Sequence, residues 1–357
     1  MDLSVGVVGL GWLSETVHLP YLIKSSKIKS IFCYEPNVAR VTKIKKKFNY
    51  SKKIIFVGSF EELLNIDEAD AIMIITPNFL HYYQIEQTLK AGKIALVEKP
   101  ICISSNEIQG LYELSDIYKG KIIPLLPNRF RKDIQYIKEN LDQLGSIYKI
   151  NMRWSRRNGI PTSNWFLEKE KAGGGVLIDL GSHILDILLY LLDFNMPVTT
   201  QGVLTNHFLK NNNKYADWHR GENITSAGNV EDSVTIFMKY PEMSSYVELS
   251  WASYEEFDET SIELYGNKGM LKLETILGFS QNVKNKEESI VEVNLGREIS
   301  SYIAFDITNR TTPYFEMLTK TFDNLSDIEL NYENFTNSLK SIEIICDIYS
   351  DEKNNIL

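Results

Sequence analysis

The chain has 357 residues, enough for two domains of ordinary size. Hydrophobic residues make up 43% and charged residues 24%, a composition that lets each domain bury a core in water. A net charge of −9 excludes a general nucleic-acid binder, so any phosphate-bearing ligand has to be held locally by loops and helix ends.

From the N-terminus, strand-like and helix-like segments alternate. Leu3–Val8 is a short β-rich run, and Glu15–Ser25 has helix potential with Pro20 as a complication. Lys29–Tyr34 reads as a second strand, Val38–Phe48 as a basic helix, Ile54–Val57 as a third strand and Phe60–Asn65 as the start of a helix. Ala71–Ile75 and Ile94–Val97 are the fourth and fifth strands, separated by a helix over Phe79–Ala91 that ends at Gly92. A helix over Ser104–Tyr118 and a strand over Lys121–Leu126 complete the run. Alternation of this kind requires crossover connections and a parallel sheet covered on both faces.

The pattern changes after Pro127. Ile147–Arg156 alternates like a strand, and Val176–Leu192 is a long apolar helix. Strand-like runs then follow at Val198–Thr205, Ser233–Tyr240, Ser245–Ser253, Thr260–Gly266, Met270–Glu274 and Ser289–Val293, with helices at Tyr314–Leu325 and Tyr332–Tyr349. Many strands with few crossover helices predict an α+β domain with a large open, mostly antiparallel sheet. The expected division is 1–125, 126–330, and a C-terminal helix over 331–357 packing back on the body. Residues 206–229 are polar and aperiodic, either a loop near a site or a surface insertion. The longest apolar run, around Ile184–Leu192, is too short and interrupted for a membrane span, and Val5 is not preceded by an export signal. Cys33, Cys102 and Cys346 form no CxxC pair and read as reduced thiols; a cytoplasmic protein is expected.

Gly9-Leu10-Gly11-Trp12-Leu13-Ser14 joins the first strand to the first helix, with Ser14 where a dinucleotide fingerprint has its third glycine. Gly9 permits the tight turn, and Gly11 lets backbone touch a pyrophosphate beside a helix N-terminus; Trp12 and Leu13 line the same turn. The first domain is thus expected to be a Rossmann dinucleotide-binding domain. Glu35 closes the second strand, where a carboxylate accepts from ribose hydroxyls and repels a 2′-phosphate, so NAD is expected in preference to NADP. Arg40 is the residue that would favour NADP; the lysines after it read as a solvated helix face.

Thr76-Pro77-Asn78 with His81 follows the fourth strand, Glu98-Lys99-Pro100 the fifth, and Ala172-Gly173-Gly174-Gly175 through Asp179 to His183 lies in the second half. With the glycine turn, this ordered set resembles the glucose–fructose oxidoreductase / inositol dehydrogenase (Gfo/Idh/MocA) family, from Val5 to about Gly269. The resemblance implies NAD(P)-linked chemistry on sugars, inositols or related small molecules. It also implies a homodimer or homotetramer through the open sheet, and Lys99, Asp179 and His183 as the catalytic set. Arg156-Arg157-Asn158-Gly159-Ile160-Pro161 and Asn164-Trp165-Phe166 are similar to members acting on glucosides or other hexose derivatives.

The chemistry suits these residues. Alcohol oxidation by nicotinamide needs a base for the hydroxyl proton and a partner for the developing alkoxide. Asp179 and His183 are four apart on one helix and share a face. An imidazole titrating near 6.5 suits His183 to acid/base work, with Asp179 orienting it or holding a neighbouring hydroxyl. Lys99 would stabilise the reacting oxygen, and the triple glycine would let backbone pass close to a ligand. Thr76, Pro77, Asn78 and Glu98 are expected near the cofactor. Glu98 reads as structural support, and His81 as either a cofactor neighbour or a local cap. Arg129, Arg156, Arg157 and Trp165 are candidates for the substrate pocket. Arg153 is expected to pair with acidic neighbours across the sheet, Trp154 to be core, and Asp232, Trp251 and Glu263 to be structural. His18, His207 and His219 receive no role, and no histidine spacing suggests a metal. The expected reaction is hydride transfer between NAD and a secondary ring hydroxyl, or the matching ketone, of a sugar, sugar derivative or cyclitol. An NADP-linked ketosugar or sugar-nucleotide reductase and a non-catalytic dinucleotide sensor are the alternatives.

Overall fold

A computed structural model describes residues 2–209, 214–216, 228–296 and 300–354. The chain divides into two units: one runs up to Leu126 and adds Tyr314–Leu339, the other comprises Pro127–Pro313 and the residues from Lys340 on. The expected boundary near 125 lies at the observed junction, but residues 314–330, expected with the second domain, belong to the first, as do 331–339 of the expected C-terminal helix.

The first unit is built on six parallel strands: β1 Leu3–Val8, β2 Ile28–Tyr34, β3 Ile54–Phe56, β4 Ala71–Ile74, β5 Ile94–Glu98 and β6 Ile122–Leu125, in the order β3-β2-β1-β4-β5-β6. Every residue of β1 is buried, as expected of a strand covered on both faces. The strand order reverses between β1 and β4, and ligands bind at such a switch point outside the carboxyl ends of the strands. Gly9, Glu35, Thr76 and Lys99 all lie just beyond such ends. The helices are α1 Leu19–Lys24, α2 Val38–Lys47, α3 Phe60–Leu64, α4 His81–Lys90 and α5 Ser105–Ile117. Pro20 falls in the first turn of α1, directly after a π-helical turn over Ser14–His18. The wider turn removes the clash between the proline ring and the preceding carbonyls, which resolves the complication.

The second unit carries an eight-stranded sheet of β7 Ile147–Ser155, β8 Thr199–Thr205, β9 Ser233–Lys239, β10 Ser244–Ser250, β11 Glu259–Gly266, β12 Gly269–Thr275, β13 Glu288–Asn294 and β14 Ser301–Asp306. The order is β14-β13-β12-β11-β7-β10-β9-β8, and only the β7–β10 neighbours are parallel. In β9, Val234, Ile236 and Met238 are buried while Phe237 between them is exposed, the alternation of a sheet covered on one face. Helices α6 Lys132–Asn140, α7 Lys169–Ala172 and α8 Ser182–Leu191 belong to this unit. Of the two C-terminal helices, α9 Thr312–Asp323 packs in the first unit. The long α10, Ile328–Asn354, gives its first residues to the first unit and those from Lys340 on to the second. Strand β14 and helix α6 were not expected. The stretch Lys169–Leu191 is long and apolar enough to cross a bilayer, contrary to the expectation, but 89% of its apolar window is buried, as in a core helix. Of the polar stretch 206–229, only 206–209, 214–216 and 228–229 are described; His219 lies outside the described residues.

One buried carboxylate sets how α8 begins. Glu231 Oε1 accepts from the N–H groups of Gly175 (2.9 Å) and Leu177 (3.0 Å) and from the Tyr349 hydroxyl (2.7 Å). Burial pushes the Glu231 carboxyl up, and these donors pull it back. The triple glycine serves this packing. A Cβ on Gly174, whose φ is +157°, would overlap the Tyr349 hydroxyl, and one on Gly175 would overlap the Glu231 carbonyl. Packing against the protein itself thus already requires glycine at 174 and 175. Tyr349→Phe leaves the buried oxygen one donor short and should lower the unfolding free energy by about 1–3 kcal/mol; an unchanged urea midpoint would show that the phenol contributes nothing.

Candidate active site

In the first unit, Gly9 adopts φ +91°, and a Cβ there would lie 2.4 Å from the Ile75 carbonyl oxygen. The turn and its approach to the end of β4 both require glycine. Gly11 differs: its φ lies outside the left-handed region and a Cβ would meet no atom within 4 Å. Among the described residues nothing asks for glycine there, and the open space beside it leaves room for backbone to meet a dinucleotide pyrophosphate. Ser14, in the third glycine's place, is fully buried and its hydroxyl donates to the Gly9 carbonyl (2.6 Å), so the substitution pins the turn. Trp12 and Leu13 lie between, both half-buried.

Glu35 is held by two backbone donors, Leu10 N–H on Oε2 (2.8 Å) and Asn37 N–H on Oε1 (2.9 Å). Each oxygen keeps acceptor capacity beyond these. Arg40 Nη1 stands 3.8 Å from Oε2, with its side chain 43% exposed. Lys43 and Lys47 pair with Glu15 on the surface.

Beyond β4, the Thr76 hydroxyl donates to Gln84 (2.6 Å), Pro77 leads into a 3₁₀ turn, and Asn78 is buried. His81 is buried between two carbonyls, Pro100 O at 2.7 Å from Nδ1 and Thr76 O at 2.8 Å from Nε2. A neutral imidazole carries one N–H, so it donates to one of these carbonyls and packs against the other, between the segments after β4 and β5. Glu98 is buried; Oε1 lies 2.8 Å from His18 Nε2, and Oε2 accepts the Lys99 N–H at 3.2 Å. The Lys99–Pro100 peptide bond is cis.

In the second unit, Asp179 sits in a π-helical turn, Leu177–Gly181, that leads into α8, and His183 is the second residue of α8. Asp179 Oδ2 accepts from the Trp251 indole (3.0 Å), and the Asn128 amide lies 3.1 Å from His183 Nδ1. The Trp154 ring lies 6.0 Å from the imidazole, and the buried Arg156 guanidinium covers Trp154 at 4.9 Å. Burial pushes the Arg156 guanidinium down, while the Asp179 and Asp258 charges oppose the shift. Asp179, His183, Trp154, Arg156, Trp251 and Asn128 thus form one neighbourhood.

The remaining substrate candidates have protein partners. Arg129 spends Nε and Nη2 on Asp186 in a buried bidentate pair, so the expectation that it reaches for substrate is corrected to a structural ion pair. Arg157 donates to the Glu256 carbonyl (3.2 Å), and Trp165 stacks on Phe166 with ring centres 3.8 Å apart. Arg153 faces Glu248, Glu255 and Glu259, as expected.

Sequence reasoning missed Asn128 and Glu231 and gave His18 no role; Asp232 and Trp251, read as structural, are so, but their partners were not foreseen. A signal was present: two carboxylates between Val230 and Val234, and a tryptophan in an apolar strand, need partners once buried. Asp232 accepts the N–H groups of His207, Phe208 and Leu209, and its carbonyl accepts the Trp251 N–H (2.9 Å).

Comparison with known proteins gives the family. Residues 3–123 match the oxidoreductase family with an NAD-binding Rossmann fold, and residues 134–272 match the GFO/IDH/MocA C-terminal domain. A protein of Amycolatopsis mediterranei, provisionally named UDP-kanosamine synthase oxidoreductase subunit, is 30% identical over 284 residues, covering 79% of this chain and 78% of its own. The D-glucoside 3-dehydrogenase of Escherichia coli is 27% identical over 237 residues, 65% of each chain. A solved 3-ketoreductase from Actinomadura kijaniata, in complex with NADP and TDP-benzene, has the same fold. Its TM-score is 0.74 at 15% identity, over 96% of this chain and 95% of that one. The chain belongs to the Gfo/Idh/MocA oxidoreductase family. It is an NAD(P)-dependent oxidoreductase acting on CH–OH groups.

The burial of His81 has a pH signature. Burial pushes its imidazole below the ordinary value, Lys99 adds to that, and the two carbonyls and Glu98 oppose it. A histidine that protonates less readily when folded supports the fold above about pH 6.5 and withdraws that support as the pH falls. The melting temperature of the wild-type chain should therefore fall more steeply below this pH than that of His81→Gln; parallel curves would contradict the cost of charging this buried ring.

Proposed function

We propose that the protein is an NAD-dependent dehydrogenase, moving a hydride between nicotinamide and a secondary ring carbon of a sugar, sugar derivative or cyclitol. The observation that carries the reading is the Asp179–His183 pair at one helix start, each side chain oriented by an uncharged partner, Trp251 and Asn128. Bound nicotinamide supplies the hydride acceptor or donor. His183 takes the hydroxyl proton at Nε2 and returns it in the reverse direction. For this the Asn128 amide presents its oxygen to Nδ1, a rotation that exchanges its nitrogen and oxygen in place. The ring then keeps Nδ1–H in both protonation states. Asp179 holds the imidazolium or a neighbouring hydroxyl, and the Lys99 ammonium stabilises charge on the reacting oxygen. Arg156 over Trp154 lies in the same neighbourhood as Asp179 and His183 and contributes to substrate selection. The D-glucoside 3-dehydrogenase relative supports a ring hydroxyl as the reacting group.

NAD follows from Glu35, whose carboxylate repels a 2′-phosphate. A second reading, an NADP-linked ketosugar or sugar-nucleotide reductase, is favoured by Arg40 at 3.8 Å from that carboxylate. The joint presence of Lys99, Asp179 and His183 speaks against a non-catalytic sensor. We place the protein in the reducing cytoplasm and assign its open sheet face, with Tyr148, Phe237, Tyr246 and Tyr302 exposed, to a homodimer or homotetramer.

The test is NAD or NADP reduction with a panel of methyl glucosides, inositols, sugar phosphates and sugar nucleotides, followed by near-ultraviolet absorbance. Tight dinucleotide binding with no turnover on any of them would favour the sensor. His183→Ala should cut kcat by about 10²–10⁴-fold with dinucleotide affinity retained, and an unaltered rate would remove His183 from the chemistry. Glu35→Ser should raise the ratio of NADP to NAD efficiency; an unmoved ratio would contradict the role given to Glu35.

A further inference from the structure

We propose that His18 is a positioning residue for Lys99, tying the turn that follows the glycine loop to the segment that carries the lysine. The inference rests on the role given to Lys99 above. His18 ends the π-helical turn Ser14–His18, whose first residue donates to the Gly9 carbonyl. Its imidazole is fully buried, and Nε2 lies 2.8 Å from Glu98 Oε1. A carboxylate only accepts, so Nε2 carries the hydrogen. The other oxygen of Glu98 accepts the Lys99 N–H, so one carboxylate joins the histidine to the lysine's backbone.

The second ring nitrogen shows what the imidazole is for. Nδ1 is buried and finds no hydrogen-bond partner among the described residues, a cost that an apolar side chain of similar size would avoid. What the imidazole contributes in return is the single bond to Glu98. The Tyr314 ring meets it edge-on at 6.3 Å and narrows its freedom to turn away. On the other side of the tripeptide, His81 lies against the Pro100 carbonyl. Glu98-Lys99-Pro100 is thus flanked at both ends by buried histidines. The grip at Glu98 comes from the turn beside the open space at Gly11.

The experiment compares His18→Phe, His18→Asn, His18→Gln, Lys99→Met and the double variant His18→Phe/Lys99→Met. Glutamine places an amide nitrogen near the position of Nε2, whereas asparagine places one near Nδ1, out of reach of Glu98. Two readouts are used: a pulse of acetic anhydride on the ligand-free protein, scored by mass spectrometry at Lys99 and at the exposed Lys286, and steady-state kinetics with NAD and a methyl glucoside. His18→Phe is expected to shift the acetylation rate of Lys99 but not of Lys286, and to lower kcat by about 10- to 100-fold with the NAD dissociation constant little changed. His18→Gln should restore both, and His18→Phe should cost nothing further once Lys99 is methionine. If His18→Phe does not fold, His18→Asn takes its place. An unmoved Lys99 acetylation rate, or losses that add in the double variant, would overturn the proposal. A Lys99→Met enzyme as fast as wild type would instead remove the role of Lys99, and this inference with it.

Discussion

Three hydrogen bonds converge on one buried carboxylate oxygen, Glu231 Oε1, and the arrangement of the second unit's chemistry depends on them. Two come from the backbone just before Asp179 and one from the last turns of α10. The neighbouring Asp232, in the bend before β9, gathers the amides of residues 207–209. Its carbonyl takes the Trp251 N–H, and the Trp251 indole returns to Asp179. The result is a closed circuit of hydrogen bonds in which each buried acid orients a segment of backbone. Cutting it anywhere leaves a polar group stranded in an apolar setting, which is why such circuits hold a single geometry.

The first unit solves the same problem with imidazoles. Its strand ends must project side chains toward a ligand without the support of a regular ladder. His81 sits between two of these ends, against a carbonyl of each, and Glu98 takes hold of its own neighbour's amide. Gly9 sets the close approach of the first turn to β4, and Ser14 locks it from behind. Apolar packing fixes where the sheet lies; these few polar contacts fix where the ends of its strands point.

What could be read directly from the chain follows from this division. The parallel sheet was legible because strands covered on both faces are short apolar runs, and the antiparallel one because β9 and its neighbours alternate. Strand β14 escaped because its side chains are mostly exposed, and α6 because only Ile134 and Ile137 mark its apolar face. The motif residues were legible as types at the ends of elements, but their partners were not. Asn128 meets His183 across 55 positions, Trp251 meets Asp179 across 72, His18 meets Glu98 across 80 and Tyr349 meets Glu231 across 118. Periodicity records which face of an element is apolar; it carries no trace of which distant group a buried polar atom will find. The triple glycine illustrates the point, since its small size is visible in the chain while the phenol that needs the room is not.

The two units interrupt one another along the chain. Tyr21 packs against Phe315 and Phe322, Tyr112 meets Phe335, and Gly120 lies against Ile328, all within the first unit. The ribosome therefore delivers the partners of residues 21, 112 and 120 only after the whole eight-stranded sheet has emerged. Until then the nascent Rossmann layer carries uncovered aromatic surface. The same α10 that completes it at Phe335 goes on to reach Glu231 through Tyr349, so a chain stopped short of residue 314 would leave both units unfinished at once.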